Sequence, residues 1–406
     1  MSREDLRPAL RARAEAGLYR TRHAVDGAHR PDQRVDGQTR LAFCSNDYLG
    51  LAAHPRVVAA LQRGADAYGV GAGASQLING HHRAHDELES ALAEFLGRQR
   101  AVLFGTGYMA NLGVLTALLG RDDSLFQDRL NHASLLDAGR LTGARQWRYA
   151  HGDATALEGR LTRLGRGRRL VASDGVFSMD GDRAPLSALA RRAQAHAAWL
   201  VVDDAHGLGV LGPDGRGVVA ESALTEAEVP VLIVTLGKAL GTFGAVVTGP
   251  DDVIDFIIQH ARPYIYTTAP PPALAAATTE ALAVLQEEPE RRAHLHRLIA
   301  RWRLGAERLG LTLLASDTAI QPVLLGASER ALAWSEALDQ RGLWVPAIRP
   351  PTVPAGQARL RITLSAAHTE AQVDTLLEAL EAIAAAEGRD GSIGPPRQAM
   401  PSGRPS

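Results

Sequence analysis

Cysteine is nearly absent from this chain: Cys44 is the only one in 406 residues. That excludes an intramolecular disulfide and any metal site built from clustered cysteines, and it suits a reducing, cytoplasmic setting. An excess of one charge is also missing. Lys plus Arg total 44 against 45 for Asp plus Glu, a formal net charge of −1, so there is no general attraction for nucleic acid or an anionic membrane. Nor is there a basic patch with interleaved aromatics. No uninterrupted apolar stretch reaches the ~18 residues of a membrane span. Arg3, Glu4, Asp5 and Arg7 stand where a secretory signal needs an apolar run. The expectation is a soluble, untargeted protein. The Walker phosphate-binding pattern and internal repeats are absent, and no metal site is expected: the adjacent His81 and His82 would diverge on a helix.

What is present suffices for a large core, with 46% hydrophobic residues over a length that allows two or three domains. Leu6, Leu10 and Leu18 among many arginines suggest a short amphipathic helix within residues 1–24, lying on something larger. Residues 42–45 read as a brief strand. From about 51 to 280, helical stretches such as 84–96, with Leu88, Leu92, Phe95 and Leu96 on one face, alternate with apolar runs at 101–104, 170–172, 200–202, 231–234 and 245–247. Strands with so little internal polarity, separated by helices, predict a mostly parallel sheet covered on both faces. Pro270, Pro271 and Pro272 interrupt the pattern and a long helix follows. Then come a helix at 287–309, a strand at 321–325, a helix at 328–341, a strand near 360–364 and a final helix. Thr369 and Gln372 read as its capping box, and Val373, Leu376, Leu377, Leu380 and Ile383 as its apolar stripe. The expected organisation is an N-terminal helix and strand segment (1–50), a large α/β domain (51–284), a C-terminal α+β domain (285–386) and a disordered tail (387–406) rich in Gly, Pro, Ser and Arg.

Asp203 closes the apolar run 200–202, and Lys238, between Gly237 and Gly241, lies just past the run 231–234. Alone, the aspartate merely ends a strand and the lysine is a solvated charge in a glycine-rich turn. Together they match what pyridoxal 5'-phosphate (PLP) requires. An amine forms a Schiff base with its aldehyde, and a carboxylate at the C-terminal end of a parallel strand keeps its pyridine nitrogen protonated. His206 can reach the phenolic oxygen of such a cofactor. Gly105 and Gly107 lead a strand into the helical stretch 108–119, a nest of backbone N–H groups suited to phosphate. His132 is the aromatic candidate to stack on the ring; as a lone residue it would cap a helix.

Eight segments carry a wider likeness: SNDYLGL from Ser45, NHASLL from Asn131, DGVFSMDG from Asp174, VDDAHG from Val202, TLGK from Thr235, IYTT from Ile265, AIRPPTVPAG from Ala347 and RLR from Arg359. With them the chain resembles, over about residues 18–384, the α-oxoamine synthase group of fold-type I PLP enzymes. The IRPPTVP stretch resembles the group's biotin-pathway branch, while the motifs up to Lys238 are shared with glycine C-acetyltransferase and 5-aminolevulinate synthase. The resemblance implies a mostly parallel central sheet flanked by helices, a smaller C-terminal α+β domain, a homodimer, and PLP as cofactor. It also implies condensation of L-alanine with a pimeloyl thioester, of CoA or of acyl-carrier protein, with loss of CO2.

Residue by residue, the resemblance implies Lys238 as the cofactor-carrying amine, Asp203 on the pyridine nitrogen, Ser178 and His206 near the phenolic oxygen, and His132 over the ring as a catalytic and substrate-contacting group. Gly107 and Tyr108 would turn backbone amides to the phosphate, Thr235 would stand beside the lysine, and Thr267 or Thr268 would reach the phosphate in the neighbouring subunit. Arg361 would clamp the amino-acid carboxylate with Asn46 nearby, and Arg20 and Thr352 would meet the acyl substrate. Tyr108 stands where the group often has Phe and Cys44 where Ser is usual; Gln76, His81 and His82 are also atypical. Another α-oxoamine synthase, such as glycine C-acetyltransferase, is the alternative within the class. A catalytically silent PLP-binding protein is the alternative outside it, although such a protein would have lost Lys238, Asp203 or Arg361.

Overall fold

The structure is a computed structural model that describes residues 6–15, 18–163 and 167–389. Of the tail expected to be disordered, residues 390–406 lie outside these. The amphipathic helix forms over Leu6–Glu15, yet none of its residues is buried. Leu6 and Leu10 are each 49% exposed, so within one chain it does not lie on a larger body as expected.

Strands β1 (Val25–Asp26), β2 (Asp32–Val35) and β3 (Gln38–Ala42) form an antiparallel meander. The strand expected at 42–45 thus ends where it was thought to begin. Beyond Ala42 the chain leaves the ladder and turns to the C-terminal half, where Phe43 accepts a bond from Thr363 N at 2.8 Å and gives one to Trp344 O at 3.0 Å.

The central sheet comprises β4 (Arg100–Phe104), β5 (Ser124–Asp128), β6 (Arg145–Tyr149), β7 (Arg169–Asp174), β8 (Trp199–Asp203), β9 (Val231–Thr235) and β10 (Ala245–Gly249), in the order β4-β10-β9-β8-β7-β5-β6. The five strands from β9 to β6 are parallel, and β10 runs against both its neighbours. Alternate side chains feed two cores. Val171, Leu200, Val202, Leu232 and Val234 enter one, and Leu170, Ala172, Val201, Val231 and Ile233 enter the other. A sheet buried on both faces explains why these strands read as unbroken apolar runs.

The C-terminal part holds β11 (Ile320–Gly326), β12 (Leu343–Trp344), β13 (Ala347–Ile348) and β14 (Ala358–Thr363). β11, β14 and β13 form an antiparallel sheet, whereas β12 pairs in parallel with β3, so the N-terminal meander is completed from the other end of the chain. The last helix, Glu370–Arg389, begins at the expected capping box. Thr369 N donates to Gln372 Oε1 at 2.9 Å and Gln372 N to Thr369 Oγ1 at 3.2 Å. Its stripe packs on the helix Pro289–Arg308, where a Cβ on Gly305 would come within 2.3 Å of Leu377. A larger residue there would require Leu377 to shift its side chain. No helix among the described residues is long and apolar enough to cross a membrane.

Candidate active site

Parallel strands present their C-terminal ends along one edge, and the candidate residues lie there. Asp174 and Asp203 end β7 and β8 as register partners, and Thr235 ends β9 three residues before Lys238. Ala245 of β10 pairs with both Thr235 and Phe104, which brings the Gly105–Gly107 turn to the same edge.

Lys238 is the only lysine among the chain's 406 residues. Burial lowers its pKa from 10.5 to about 8, against the nearby charges of Asp203 and Asp174, which favour the ammonium. Roughly a tenth of it is therefore free amine at pH 7. Its Nζ lies 2.9 Å from His206 Nε2, and His206 Nδ1 lies 2.7 Å from the hydroxyl of Tyr48. Burial, together with the charges of Lys238 and Arg361, holds His206 well below its ordinary pKa. The ring is neutral.

Asp203 is buried and accepts from Asn111 Nδ2 at 2.6 Å and from Ala205 N at 3.0 Å. Asn111 Nδ2 gives its other proton to Ser134 Oγ at 2.8 Å, leaving the Ser134 hydroxyl to donate to His132 Nδ1 at 2.7 Å. Ser134 N also donates to that nitrogen, at 3.3 Å. With Nδ1 accepting twice, the proton of the neutral ring sits on Nε2. His132 is the N-cap of the helix Ala133–Thr142, so it caps and faces the site at once. Although the residue is open to solvent on one side, the surrounding protein lowers its pKa, chiefly by desolvation. Its backbone N–H donates to Asp174 Oδ2 at 2.6 Å. Burial, and then the proximity of Asp203, drive the pKa of Asp174 well above the usual carboxylate range.

Gly107 and Tyr108 open the helix Gly107–Leu118, which Thr106 caps by accepting from Met109 N at 3.1 Å. A Cβ on Gly107 would meet nothing within 4 Å, so nothing crowds that side of the helix start, whose first amides have no intrahelical acceptor. The Tyr108 phenol points away, donating to Asp137 at 2.6 Å. Thr235 Oγ1 donates to Gly244 O at 3.1 Å. Arg361, buried on β14, donates from Nε to Ser178 O at 2.7 Å and makes a long 3.5 Å contact from Nη2 to Asn46 Oδ1. These bonds gather Asn46, Ser178, His206, Lys238 and Arg361 from five separate stretches of chain.

The remaining candidates make no hydrogen bond to this set. Arg20 is exposed ahead of β1. Thr352 is exposed and lines, with Ser178, Arg129 and His151, a cleft of ≈ 290 Å³. Thr267 is half-buried and Thr268 exposed, in the segment after the short helix Arg262–Ile265. His81 and His82 are not on a helix, as the sequence argument had assumed. His82 caps the helix Arg83–Leu96, while His81 bonds Gln76 and Asp86. Donor atoms of His81, Asp86 and Glu89 lie within 4.8 Å of one another, but Glu89 already accepts from Leu103 N at 2.7 Å. Sequence reasoning assigned no role to Tyr48, Asn111, Ser134 or Asp174. For Asn111 the signal was available: one polar residue among Ala110, Val114, Leu115 and Leu118.

The residues present fit PLP. A neutralisable, half-buried amine, a buried carboxylate one strand away, an open imidazole and an uncrowded helix start meet at one sheet edge. This is the fold and site of a fold-type I PLP-dependent transferase. The chain matches the family model for aminotransferase class I and II over residues 39–380. It is 60% identical over 376 residues to 8-amino-7-oxononanoate synthase from Pseudomonas paraeruginosa, covering 93% of this chain and 94% of that one. A solved 8-amino-7-oxononanoate synthase from Francisella tularensis superimposes with TM-score 0.75 at 30% identity, covering 86% of this chain and 99% of that one. Serine palmitoyltransferase from S. paucimobilis, solved with bound PLP–myriocin, superimposes with TM-score 0.89 at 32% identity, covering 95% and 98%. The chain belongs to the aminotransferase class I and II family, among its 8-amino-7-oxononanoate synthases.

Proposed function

We propose that this protein is a cytoplasmic, homodimeric enzyme that uses PLP to condense L-alanine with a pimeloyl thioester, of CoA or of acyl-carrier protein. The products are 8-amino-7-oxononanoate, CO2 and the free thiol, in biotin biosynthesis. The observation that carries the reading is the sole lysine, half-buried against neutral His206 with Asp203 nearby and Arg361 anchored on Ser178. Bound PLP supplies an electron-withdrawing ring that stabilises negative charge at the substrate Cα. Asp203 would keep its ring nitrogen protonated, His132 would cover its face, and the Gly107 and Tyr108 amides would hold its phosphate. Arg361 presents a guanidinium fork to the alanine carboxylate. Lys238, with its pKa near 8, takes the Cα proton as a base and can return it as an acid near neutral pH. The hydrogen bonds to Asp203, His206 and Arg361 hold these groups in place, so little reorganisation accompanies reaction.

Turnover assays with alanine and glycine, each against pimeloyl-CoA, pimeloyl-acyl-carrier protein and acetyl-CoA, test the reading. Alanine with a pimeloyl donor is the expected pair. Preference for glycine with acetyl-CoA would make the protein a glycine C-acetyltransferase instead.

The distal carboxylate of the pimeloyl chain needs a cationic or hydrogen-bonding partner once desolvated, and Arg20 and Thr352 are proposed for the acyl substrate. Arg20→Ala should raise the KM for the pimeloyl thioester about tenfold or more and leave the alanine KM unchanged. Unaltered pimeloyl kinetics would show that Arg20 is only a solvated charge.

Thr267 and Thr268, half-buried and exposed respectively in one chain, are proposed to complete the phosphate site of a second copy. Mixing Lys238→Ala subunits with Thr267→Ala/Thr268→Ala subunits should then restore part of the activity that each lacks. Failure of the mixture to regain activity, with subunit exchange verified, would count against the shared site.

A further inference from the structure

The cleft that holds Thr352 has one charge in its wall with nothing to answer it. The other charged side chains of its lining are paired. Asp180 Oδ1 accepts from Nη1 of the buried Arg359 at 2.6 Å. His151, whose bonds to Asp128 and Asp182 raise its pKa to about 10, lies 3.0 Å from the first carboxylate and 2.8 Å from the second. Arg129 is exposed, and its guanidinium has neither an ion pair nor a hydrogen bond among the described residues. Its backbone, by contrast, is fixed. Arg129 follows the end of β5, its N–H donates to Tyr149 O at 3.2 Å, and its carbonyl accepts from Arg148 Nη2. Arg148 is exposed too and has no carboxylate partner among the described residues. Two neighbouring cations without an anion between them make a site for an oxyanion.

The cleft also has a direction. At one end Ser178, half-buried, accepts from Arg361 Nε at 2.7 Å, and at the other Arg129 and Thr352 are open to solvent. Between them lie Leu130, Met179 and Val353, an apolar lining. A thioester that reacts beside Arg361 has to leave its thiol arm reaching outward. In CoA and in acyl-carrier protein alike that arm is pantetheine, with methyl and methylene groups along its length and a phosphate at its far end.

We infer that this cleft seats the pantetheine arm of the acyl donor and that Arg129 binds the phosphate. The assignment rests on the thioester donors proposed for the enzyme. It leaves the distal carboxylate of the acyl chain to Arg20, which lines no part of the cleft. The guanidinium fork offers two parallel N–H donors to a phosphate, so Arg129 selects the carrier end of the donor rather than the acyl end.

Pimeloyl-4'-phosphopantetheine and pimeloyl-pantetheine share acyl group and thioester and differ only in the phosphate. The wild-type holoenzyme should favour the first in kcat/KM, and Arg129→Ala should cut that preference about tenfold or more. Arg129→Lys, which keeps a charge, should hold the preference within about threefold of the wild type. The alanine KM and the visible band of bound PLP should not move in either variant, as they would if the loop before His132 were disturbed. Calorimetric titration of the holoenzyme with 4'-phosphopantetheine should show binding about tenfold weaker in Arg129→Ala. Equal losses with both thioesters would show that Arg129 reads the acyl carboxylate, and no loss with either that it is a solvated charge; each result overturns the inference. If the wild type binds 4'-phosphopantetheine through Arg129 but fails to condense alanine with any pimeloyl donor, the phosphate site stands and the substrate reading fails separately.

Discussion

Lys238→Ala is expected to reduce turnover by more than about 10⁴-fold, because it removes the nucleophile and the proton carrier in one step. No other side chain can take over: the remaining members of the 44 Lys plus Arg are arginines, whose guanidinium does not lose its proton in proteins. Lys238→Arg should therefore be equally inactive. PLP should still bind the alanine variant without a covalent link, since Asp203, His132 and the open helix start remain. Borohydride should fix a pyridoxyl group to the Lys238 peptide of the wild type and abolish its visible absorption. Attachment of added PLP to cofactor-free protein requires the free amine, so its rate should rise about tenfold per pH unit below 8 and level off above. The basis for that midpoint is the pKa of about 8 that burial imposes. Turnover within tenfold of the wild type would end the assignment of Lys238.

Asp203 and Lys238 were legible in the sequence because both follow apolar runs of a sheet buried on two faces, and such runs mark strand ends well. A stronger signal went unused. A chain that employs arginine for every other fixed cation keeps lysine at one half-buried position, where the chemistry needs an amine that can be neutral. β5 and β6 escaped for physical reasons. β6 is an edge strand whose Arg145, Gln146 and Arg148 are exposed, and β5 carries Gln127 and Asp128, which bond to loops rather than fill a core. The pairing of β12 with β3 involves two residues per strand, Leu343 and Trp344 against Leu41 and Ala42, with about three quarters of the chain between them, too little pattern to read. Likewise Leu6 and Leu10 display a helical period but do not say what, if anything, covers them. The polar bonds that assemble the site were least visible. Asn111 meets Asp203 across 92 residues and Tyr48 meets His206 across 158. Residue type shows that such a group needs a partner when buried, but not which partner the fold supplies.

Asp203→Asn is expected to lower kcat by about 10²–10³-fold, comparable to removing a preorganised charge-stabilising group from other active sites. At 1.36 kcal/mol per factor of ten, that is roughly 3–4 kcal/mol of transition-state stabilisation. The folding cost should be smaller. Asp203 accepts two hydrogen bonds, from Asn111 Nδ2 and Ala205 N; an amide keeps one and sets N–H against N–H at the other, worth about 1–3 kcal/mol. The charge loss also has a direction that can be measured. Asp203 favours the ammonium form of Lys238, so its neutralisation should move the lysine below a pKa of about 8. The pH at which PLP attaches to cofactor-free protein should shift toward acid, even as turnover collapses. A structural role alone would not separate these two readouts, since it would weaken attachment and turnover together at unchanged midpoint. Native-rate turnover by Asp203→Asn, or an alkaline shift of the attachment midpoint, would show that this carboxylate neither holds the ring proton nor bears on the lysine.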